Sequence, residues 1–182
     1  MKAPILKGEK IILKPLAISQ AENFLRWIKD DEVSRFLIID GRGLTLNKEK
    51  EYIKNSLTDK SKLNWAIFTD SGEHIGSTGL HDINRKNLKA VWGIFIGDKN
   101  YWNQGLGTDV LKTVSKHCFK KLKLNRVELG VFPHNPRGKR CYEKCGFKVE
   151  GVKKQAIWKN GRFIDEIIMG ITKDDYKKLI NK

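Results

Sequence analysis

The chain has 182 residues, 40% of them hydrophobic and 31% charged, with a formal net charge of +15. That length gives one domain, residues 1–182, with a sizeable core and no room for a second, and no apolar run approaches the roughly 18 residues that span a bilayer. The opening stretch MKAPILKGEK has no apolar segment and no small-residue cleavage site, so no secretory leader is expected and the cytoplasm is the expected compartment.

In chain order, EKIILKPL (Glu9 to Leu16) reads as the first strand. SQAENFLRWIK sets Ser19 three residues before Glu22, a capping-box pattern, and predicts an amphipathic helix through about Lys29. A second helix is predicted from Asn47 to about Leu57, with Tyr52, Ile53 and Leu57 turned inward. Leu63 to Thr69 reads as a strand closed by the turn cluster DSGE. His74 to Ile83 and Ala90 to Gly97 are the next strands, joined by a polar loop, so residues 9–16 and 63–97 form an antiparallel meander.

The pattern then changes. Gly107, Leu111, Val114, Cys118 and Leu122 recur at helical spacing and predict a helix from about Thr108 to Leu122. RVELGVF (Arg126 to Phe132) alternates, with Val127, Leu129 and Val131 on one face, and is a strand. NPRGKRCYEKCGF is a short helix with Asn135 as N-cap, Pro136 as first helical residue and Gly146 as left-handed stop. KNGR places Asn160-Gly161 between two apolar strands, a hairpin signal. The order is β-α-α-β-β-β-α-β-α-β-β. The unit 90–97, 108–122, 126–132 makes its two strands parallel through a right-handed crossover. The expected fold is therefore α/β, a mixed and mostly antiparallel sheet with one parallel pair, flanking helices and a cleft at the carboxyl ends of that pair.

Three cysteines, Cys118, Cys141 and Cys145, are not a disulfide framework. Cys141 and Cys145 lie four apart, with His117 and His134 as nominal metal partners. No Cys-x-x-Cys or His-x-x-x-His spacing supports zinc, so reduced thiols and no metal are expected. The positive charge implies an anionic partner: nucleic acid, an acidic protein or a polyanionic cofactor. It is densest at KKLKLNR (Lys120 to Arg126) and PRGKR (Pro136 to Arg140). With no basic tail, zinc finger or RNA-stacking motif, nucleic acid is disfavoured, and a solvated lysine-rich face accounts for much of the excess.

NYWNQGLGTDVL (Asn100 to Leu111) puts Gly105 and Gly107 directly before a helix. The first helical turn offers unpaired amides and a positive dipole end, and glycines let a phosphate approach them. A Gly-x-Gly is also a common structural turn. The triphosphate loop is excluded because no Gly-Lys-Ser/Thr follows. The dinucleotide fingerprint is excluded because its third glycine and terminal acidic residue are missing.

Three stretches, WGIFIGDKNYWNQGLGTDVL, NRVELGVFPHNPRGKRCYEKCGFKVEG and ILKPL…WIKDDEVSRFL, occur in an order that resembles the GNAT N-acetyltransferase superfamily, and most of all its RimJ/RimL-type branch. The likeness runs from about Leu6 to Ile171. It implies acetyl-CoA as co-substrate. The backbone of Ile94, Phe95 and Ile96 would pair with the pantetheine arm. The amides of Asn103, Gln104, Gly105, Leu106, Gly107 and Thr108 would hold the pyrophosphate. Asn135 would hydrogen-bond the pantetheine from the other side, and Tyr142 would lie near the thioester sulfur. Three positions depart from the pattern: Trp102 replaces the superfamily's usual Arg or Gln, Gly138 replaces Ala or Ser, and Val91 stands where many relatives carry a glutamate base.

Acetyl transfer needs a neutral amine, a polarised carbonyl and a proton for the leaving thiolate. Tyr142 is the expected proton donor, and a backbone N–H of residues 94–96 would polarise the carbonyl. Glu128, on the second cofactor strand, is a weak candidate base beside a salt-bridged reading, and His81 and His134 are further candidates. Cys141 or Cys145 as acyl carrier is the lesser route. The leading acceptor is a protein N-terminal α-amine, whose pKa of about 7.7–8.0 leaves much of it neutral near pH 8. The charge favours an acidic protein and disfavours polyamines. A small-molecule amine (an amino sugar or antibiotic) and a non-catalytic basic module binding RNA or ribosomes remain as alternatives. The acceptor wall is expected from residues 27–45 and the hairpin at Asn160, in a monomer or homodimer.

Overall fold

The computed structural model describes residues 3–39 and 41–181, so one position of the expected acceptor wall, residue 40, lies outside the described residues. The elements are β1 (Leu6–Lys7), β2 (Ile11–Pro15), α1 (Ala21–Ile28), α2 (Asp31–Ser34), α3 (Leu46–Thr58), β3 (Leu63–Thr69), β4 (His74–Asn84), β5 (Lys89–Ile96), α4 (Leu106–Lys116), β6 (Arg126–Val131), α5 (Pro136–Lys144), β7 (Lys148–Lys159), β8 (Arg162–Thr172) and α6 (Lys173–Ile180). The strands form one eight-stranded sheet in the order β1-β2-β3-β4-β5-β6-β8-β7. Every pairing is antiparallel except β5 with β6.

That parallel pair is short. Lys89, Ala90 and Val91 face Arg126, Val127 and Glu128, and there the pairing stops. Residues from Trp92 to Ile96 pair only with β4, while Leu129 to Val131 pair only with β8. The two strands therefore diverge and leave main-chain groups without sheet partners across a gap. Such groups need a partner of their own, from water or from a ligand that lies in as an extra strand.

The sheet is covered on both faces. Leu63, Trp65, Ile67, Ile75, Leu80, Val127, Leu129, Met169 and Ile171 point to the side where α4 contributes Val110, Leu111 and Val114. On the other side Ala66 and Phe95 meet Phe24 and Ile28 of α1 and Ile53 of α3. The strand alternation produces this division, since successive side chains leave on opposite faces. Asn64, Ser77, Gly79, His81, Val91 and Gly93 share the parity of the α1 and α3 side, and they form the floor of the site described below.

Several boundaries differ from the sequence reading. The first helix is entered through a 3₁₀ turn, Ile18–Gln20, capped by Ala17. Gln20 Oε1 accepts from the Ala17 amide at 2.7 Å and its Nε2 donates to Ser19 Oγ, so Ser19 sits inside the turn and does not cap the helix. In α3, Ile53 is inward as expected, but Tyr52 and Leu57 are 46% and 42% exposed. The buried stripe is Glu49, Ile53 and Ser56, two polar residues about one aliphatic, which an apolar-periodicity count misplaces. The helix after the glycine loop starts at Leu106 and ends in a wide turn over His117–Lys121, with the Leu122 amide donating to His117 O at 3.0 Å. β1 and α2 are too short to show a period. α6 carries a capping box, Thr172 with Asp175, that could have announced it.

The remaining turns follow their residues. Asn135 Oδ1 accepts from the Gly138 amide at 2.9 Å and starts α5, and Gly146 ends it at φ +88°. Asn160 and Gly161 both take positive φ, the signature of a type I′ hairpin.

Candidate active site

The gap between β5 and β6 opens into a cleft of about 720 Å³. Its two ends differ in character. At one end lie the glycine loop and the first residues of α5. At the other lie the α1/α3 face of the sheet and the segment after α2.

The loop end is held by a tryptophan. Trp102 Nε1 donates to Ile96 O at 2.8 Å, which folds the chain back over the end of β5. The Arg137 guanidinium sits 3.9 Å above the Trp102 ring, so the departure at this position supplies a platform for a cation. Asn103 (φ +61°) and Gly105 (φ +80°) are left-handed, and Gly105 caps α4. A Cβ at Gly105 would meet nothing within 4 Å. The loop is therefore open above this residue, and the first amides of α4 have no intrahelical acceptor. The Gly138 departure also has a cause: a Cβ there would come within 2.7 Å of Asn135 Nδ2.

Of the residues singled out from sequence, Ile94, Phe95, Ile96, Asn103, Gly105, Leu106, Gly107, Thr108, Asn135, Tyr142, His81 and Cys141 all line this cleft. Gln104 does not line it, and its Nε2 donates to Asn100 O at 2.6 Å. Glu128 does not line it either. Arg126 Nε donates to its carboxylate at 3.0 Å and Lys89 Nζ stands 3.7 Å away, so it is committed to ion pairs beside the cleft. The side-chain parity inferred for Glu128 holds, and its neighbours on β5 and β6 decide its role. His134 is also outside the lining, its Nε2 within 3.1 Å of Arg35 O and its ring stacked on Phe132.

Electrostatics sort the candidates further. Tyr142 is buried, and burial pushes its phenol above the ordinary tyrosine value. Burial lowers the His81 pKa, so the ring is neutral at pH 7. Burial raises Cys141, whose Sγ lies 3.3 Å from Thr108 Oγ1, and pushes Cys145 up to about 12. Thiols held protonated in this way are poor nucleophiles, which disfavours an acyl-cysteine route. Among the described residues no group of three or more His, Cys, Asp or Glu could hold a metal ion, and no helix is long and apolar enough to cross a membrane.

The end opposite the glycine loop is lined by part of the expected 27–45 segment but not by the Asn160 hairpin, and it contains polar residues the sequence did not single out. Asn64, Gly79 and Gly93 stand side by side across β3, β4 and β5. A Cβ at Gly79 would lie 2.2 Å from Asn64 Oδ1, so glycine makes room for the amide. The Asn64 Nδ2 is buried without a partner. Glu49 and Tyr52 of α3 and Glu166 of β8 complete the lining, with Phe36, Leu37, Ile38 and Ile39 from the segment after α2.

Residues 10–148 match the family profile described as an acetyltransferase (GNAT) domain. The chain belongs to the GNAT acetyltransferases. It is similar to a Bacillus subtilis (strain 168) protein named Probable N-acetyltransferase YjcK, 26% identical over 94% of this chain and 98% of that one. A shorter match, 26% identical over 64% of this chain and 73% of the other, is the L-amino acid N-acetyltransferase AaaT of Escherichia coli (strain K12). Among solved structures, the spermidine N-acetyltransferase of Vibrio cholerae in complex with CoA and spermine superposes with a TM-score of 0.85 at 20% identity, covering 92% of this chain and 98% of that one, which shows the fold. The GNAT fold, a mixed and mostly antiparallel sheet with one parallel pair, is thus the architecture read from the sequence, with β1 added to the seven expected strands. This GNAT protein is an acetyl-CoA-dependent N-acetyltransferase.

Proposed function

We propose that this enzyme acetylates the α-amine of a protein N-terminus by direct attack of the neutral amine on acetyl-CoA. The observation that carries this reading is the asymmetry of the cleft. A cationic, glycine-lined end suits a polyphosphate, and an open end rimmed by exposed Ile38, Ile39 and Tyr52 suits the first side chains of a polypeptide. The amides of Asn103 to Thr108 take the pyrophosphate, with Arg137 and Arg140 beside it. The diverging edge of Ile94, Phe95 and Ile96, where Ile96 O already accepts from Trp102, pairs with the pantetheine arm, Asn135 flanks it, and Tyr142 faces the sulfur. The amine nitrogen bonds to the carbonyl carbon, the C–S bond breaks, and the sulfur takes the Tyr142 proton; the excess amine proton leaves to solvent, and solvent returns one to the Tyr142 phenolate. The protein belongs on this reading to the RimJ/RimL-type branch and works as one domain in the cytoplasm, as monomer or homodimer. Its basic surface suits a partner that is acidic beyond its first residues.

A small-molecule amine is the second reading, favoured by the buried polar groups Glu49 and Asn64 at the acceptor end. Thiol release from acetyl-CoA separates the two. The panel is hexapeptides with a free α-amine, the same peptides with that amine blocked, free amino acids, glucosamine and spermidine. Release with the free-amine peptides alone is the expected result, and release only with small amines replaces the first reading by the second. Acetyl-CoA at about 100 times its Kd is expected to stabilise the fold by about 2.7 kcal/mol, a rise in Tm of about 5–10 °C. Loss of binding at high salt with no such shift would instead indicate a basic RNA-binding module.

Gly105→Val tests the loop. The added side chain enters the open space above the loop, and a β-branched residue at φ +80° is strained. Acetyl-CoA affinity measured by calorimetry is expected to fall at least about tenfold, a loss of about 1.4 kcal/mol. Unchanged affinity would mean the pyrophosphate lies elsewhere.

A further inference from the structure

Glu49 is buried on the inner side of α3, while the charged side chains around it, Lys48, Lys50, Glu51 and Lys54, are exposed. It is 4% exposed, and burial is the one influence acting on its carboxyl among the described residues, raising its pKa with no hydrogen-bonding or charged neighbour contributing. It sits one turn before the fully buried Ile53 and opens into the cleft among Leu16, Phe24, Ile28 and Tyr52. A carboxylate in such surroundings weakens the fold unless something neutralises it. An aliphatic residue would serve stability better at this position.

Among the described residues the chain supplies no such group. Of the other titratable groups that open into the cleft, Arg137, Arg140 and Lys144 belong to α5 at the loop end. His81 on β4 is neutral, Tyr142 is a buried phenol, and Glu166 on β8 has Lys153 at 3.6 Å. A metal is also disfavoured, since no second carboxylate, histidine or thiol gathers with Glu49 into a metal-binding group. The partner is then brought in by the acceptor. An α-amine with a pKa of about 7.7–8.0 is mostly ammonium at pH 7, so the acceptor arrives as a cation at a protein of net charge +15. A buried carboxylate reverses the local sign of the field where that cation must enter.

We propose that Glu49 is the acceptor's counter-ion, a recognition site for a primary ammonium group at the α3 end of the cleft, and this rests on the N-acetyltransferase reading above. Asn64 lines the same cleft, and among the described residues its Nδ2 is closed off and unpartnered. The site therefore selects a molecule that carries a primary ammonium group. The residue acts on specificity and entry.

The test uses n-butylammonium chloride as probe and the full-length protein saturated with CoA. The Glu49 carboxyl carbon is followed by ¹³C NMR in glutamate-labelled protein, assigned by its absence in Glu49→Gln. The expected result is a carboxyl that titrates above the ordinary glutamate range and moves back down as n-butylammonium is added. Sodium chloride at matched ionic strength leaves it in place. In Glu49→Gln the dissociation constant of the probe rises about tenfold, the scale of one charge-assisted hydrogen bond. The Tm of the unliganded variant rises, because an unpaired buried charge is gone. A merely structural Glu49 predicts a lower Tm and unchanged probe binding, and that result overturns the proposal. So does a wild-type carboxyl indifferent to n-butylammonium, a measurement that survives if the variant misfolds. Absence of a CoA-induced melting shift in the wild type would instead overturn the acetyltransferase reading, which keeps the two failures apart.

Discussion

Tyr142→Phe is expected to lower kcat about 100-fold while acetyl-CoA affinity stays nearly unchanged, a loss of about 2.7 kcal/mol of transition-state stabilisation. The substitution removes one oxygen. The ring keeps its packing against Phe147, whose centroid lies 6.3 Å away, so the fold and cofactor site are not disturbed. The phenol is an effective donor because it remains protonated across the working range, burial having raised its pKa. A free thiol has a pKa near 8.5, which at first sight makes it a weak match for such a donor. The protein's own thiols resolve this. Cys141, on the same helix and lining the cleft, is raised by burial, and a thiolate released beside it is shifted in the same direction. Its proton affinity rises with that of the phenol, and the two come within range for transfer as the C–S bond breaks. On this account Tyr142 ionisation contributes no alkaline limb to the pH–rate profile below about pH 9, since its pKa lies above the tyrosine reference of about 10. Single-turnover thiol release at saturating acetyl-CoA checks both points. An unaltered kcat in Tyr142→Phe would remove the residue as the acid.

The cofactor half of the site was legible in the sequence because its geometry is local. Asn103 to Thr108 and Asn135 to Tyr142 are short runs in which glycine, proline and a capping asparagine dictate backbone conformation one residue at a time. Their spacing carries across to three dimensions with little change. At the other end of the cleft the 27–45 segment was named in advance and part of it lines the cleft, but the polar groups Glu49 and Asn64 were not legible, for two physical reasons. They occupy positions that a hydrophobic count gives to aliphatic residues. Glu49 was passed over and Tyr52 and Leu57 turned inward, because burying an unpaired carboxylate runs against stability. The contacts at this end also join parts of the chain far apart in sequence. Glu128 illustrates this. Alternation placed its side chain on the correct face, yet only the register of β5 against β6 brings Lys89 beside Arg126 and ties the carboxylate into ion pairs.

The net charge misled in a related way. A total of +15 suggests repulsion of any cationic acceptor, but charge acts locally within a Debye length of about 8–10 Å. Arg137, Arg140 and Lys144 sit where a polyphosphate belongs, and Glu49 and Glu166 line the opposite end of the same cleft. The field along the cleft therefore changes sign, and each end matches the charge of a different substrate.

Lys159→Met is expected to lower Tm by about 10 °C and to raise KM for the acceptor with little change in acetyl-CoA affinity. Lys159 is the last residue of β7, 7% exposed, and its ammonium reaches across the fold to the segment after α2. It donates to Ser34 O at 3.0 Å, to Ile39 O at 3.2 Å and to Leu37 O. A cation there also answers the partial negative charge of carbonyls at a helix C-terminus. Methionine keeps the unbranched stem and removes all three donors, so these acceptors lose their partner at a combined cost of about 3 kcal/mol. At about 2–4 °C per kcal/mol for a chain of this size, that is the predicted shift. Arginine is expected to restore only part of it, because a planar fork cannot aim three donors at carbonyls converging on one point. The kinetic effect follows from what the segment carries. Phe36, Leu37, Ile38 and Ile39 line the cleft, on the proposed reading as its acceptor wall, and none of them belongs to the glycine loop. Loosening that wall changes how the amine is held and leaves the nucleotide end intact. Thermal denaturation with steady-state kinetics on the same preparation separates the outcomes. A normal Tm would show that the ammonium does not hold the segment, and a lower Tm with unchanged KM would show that the segment does not shape acceptor binding.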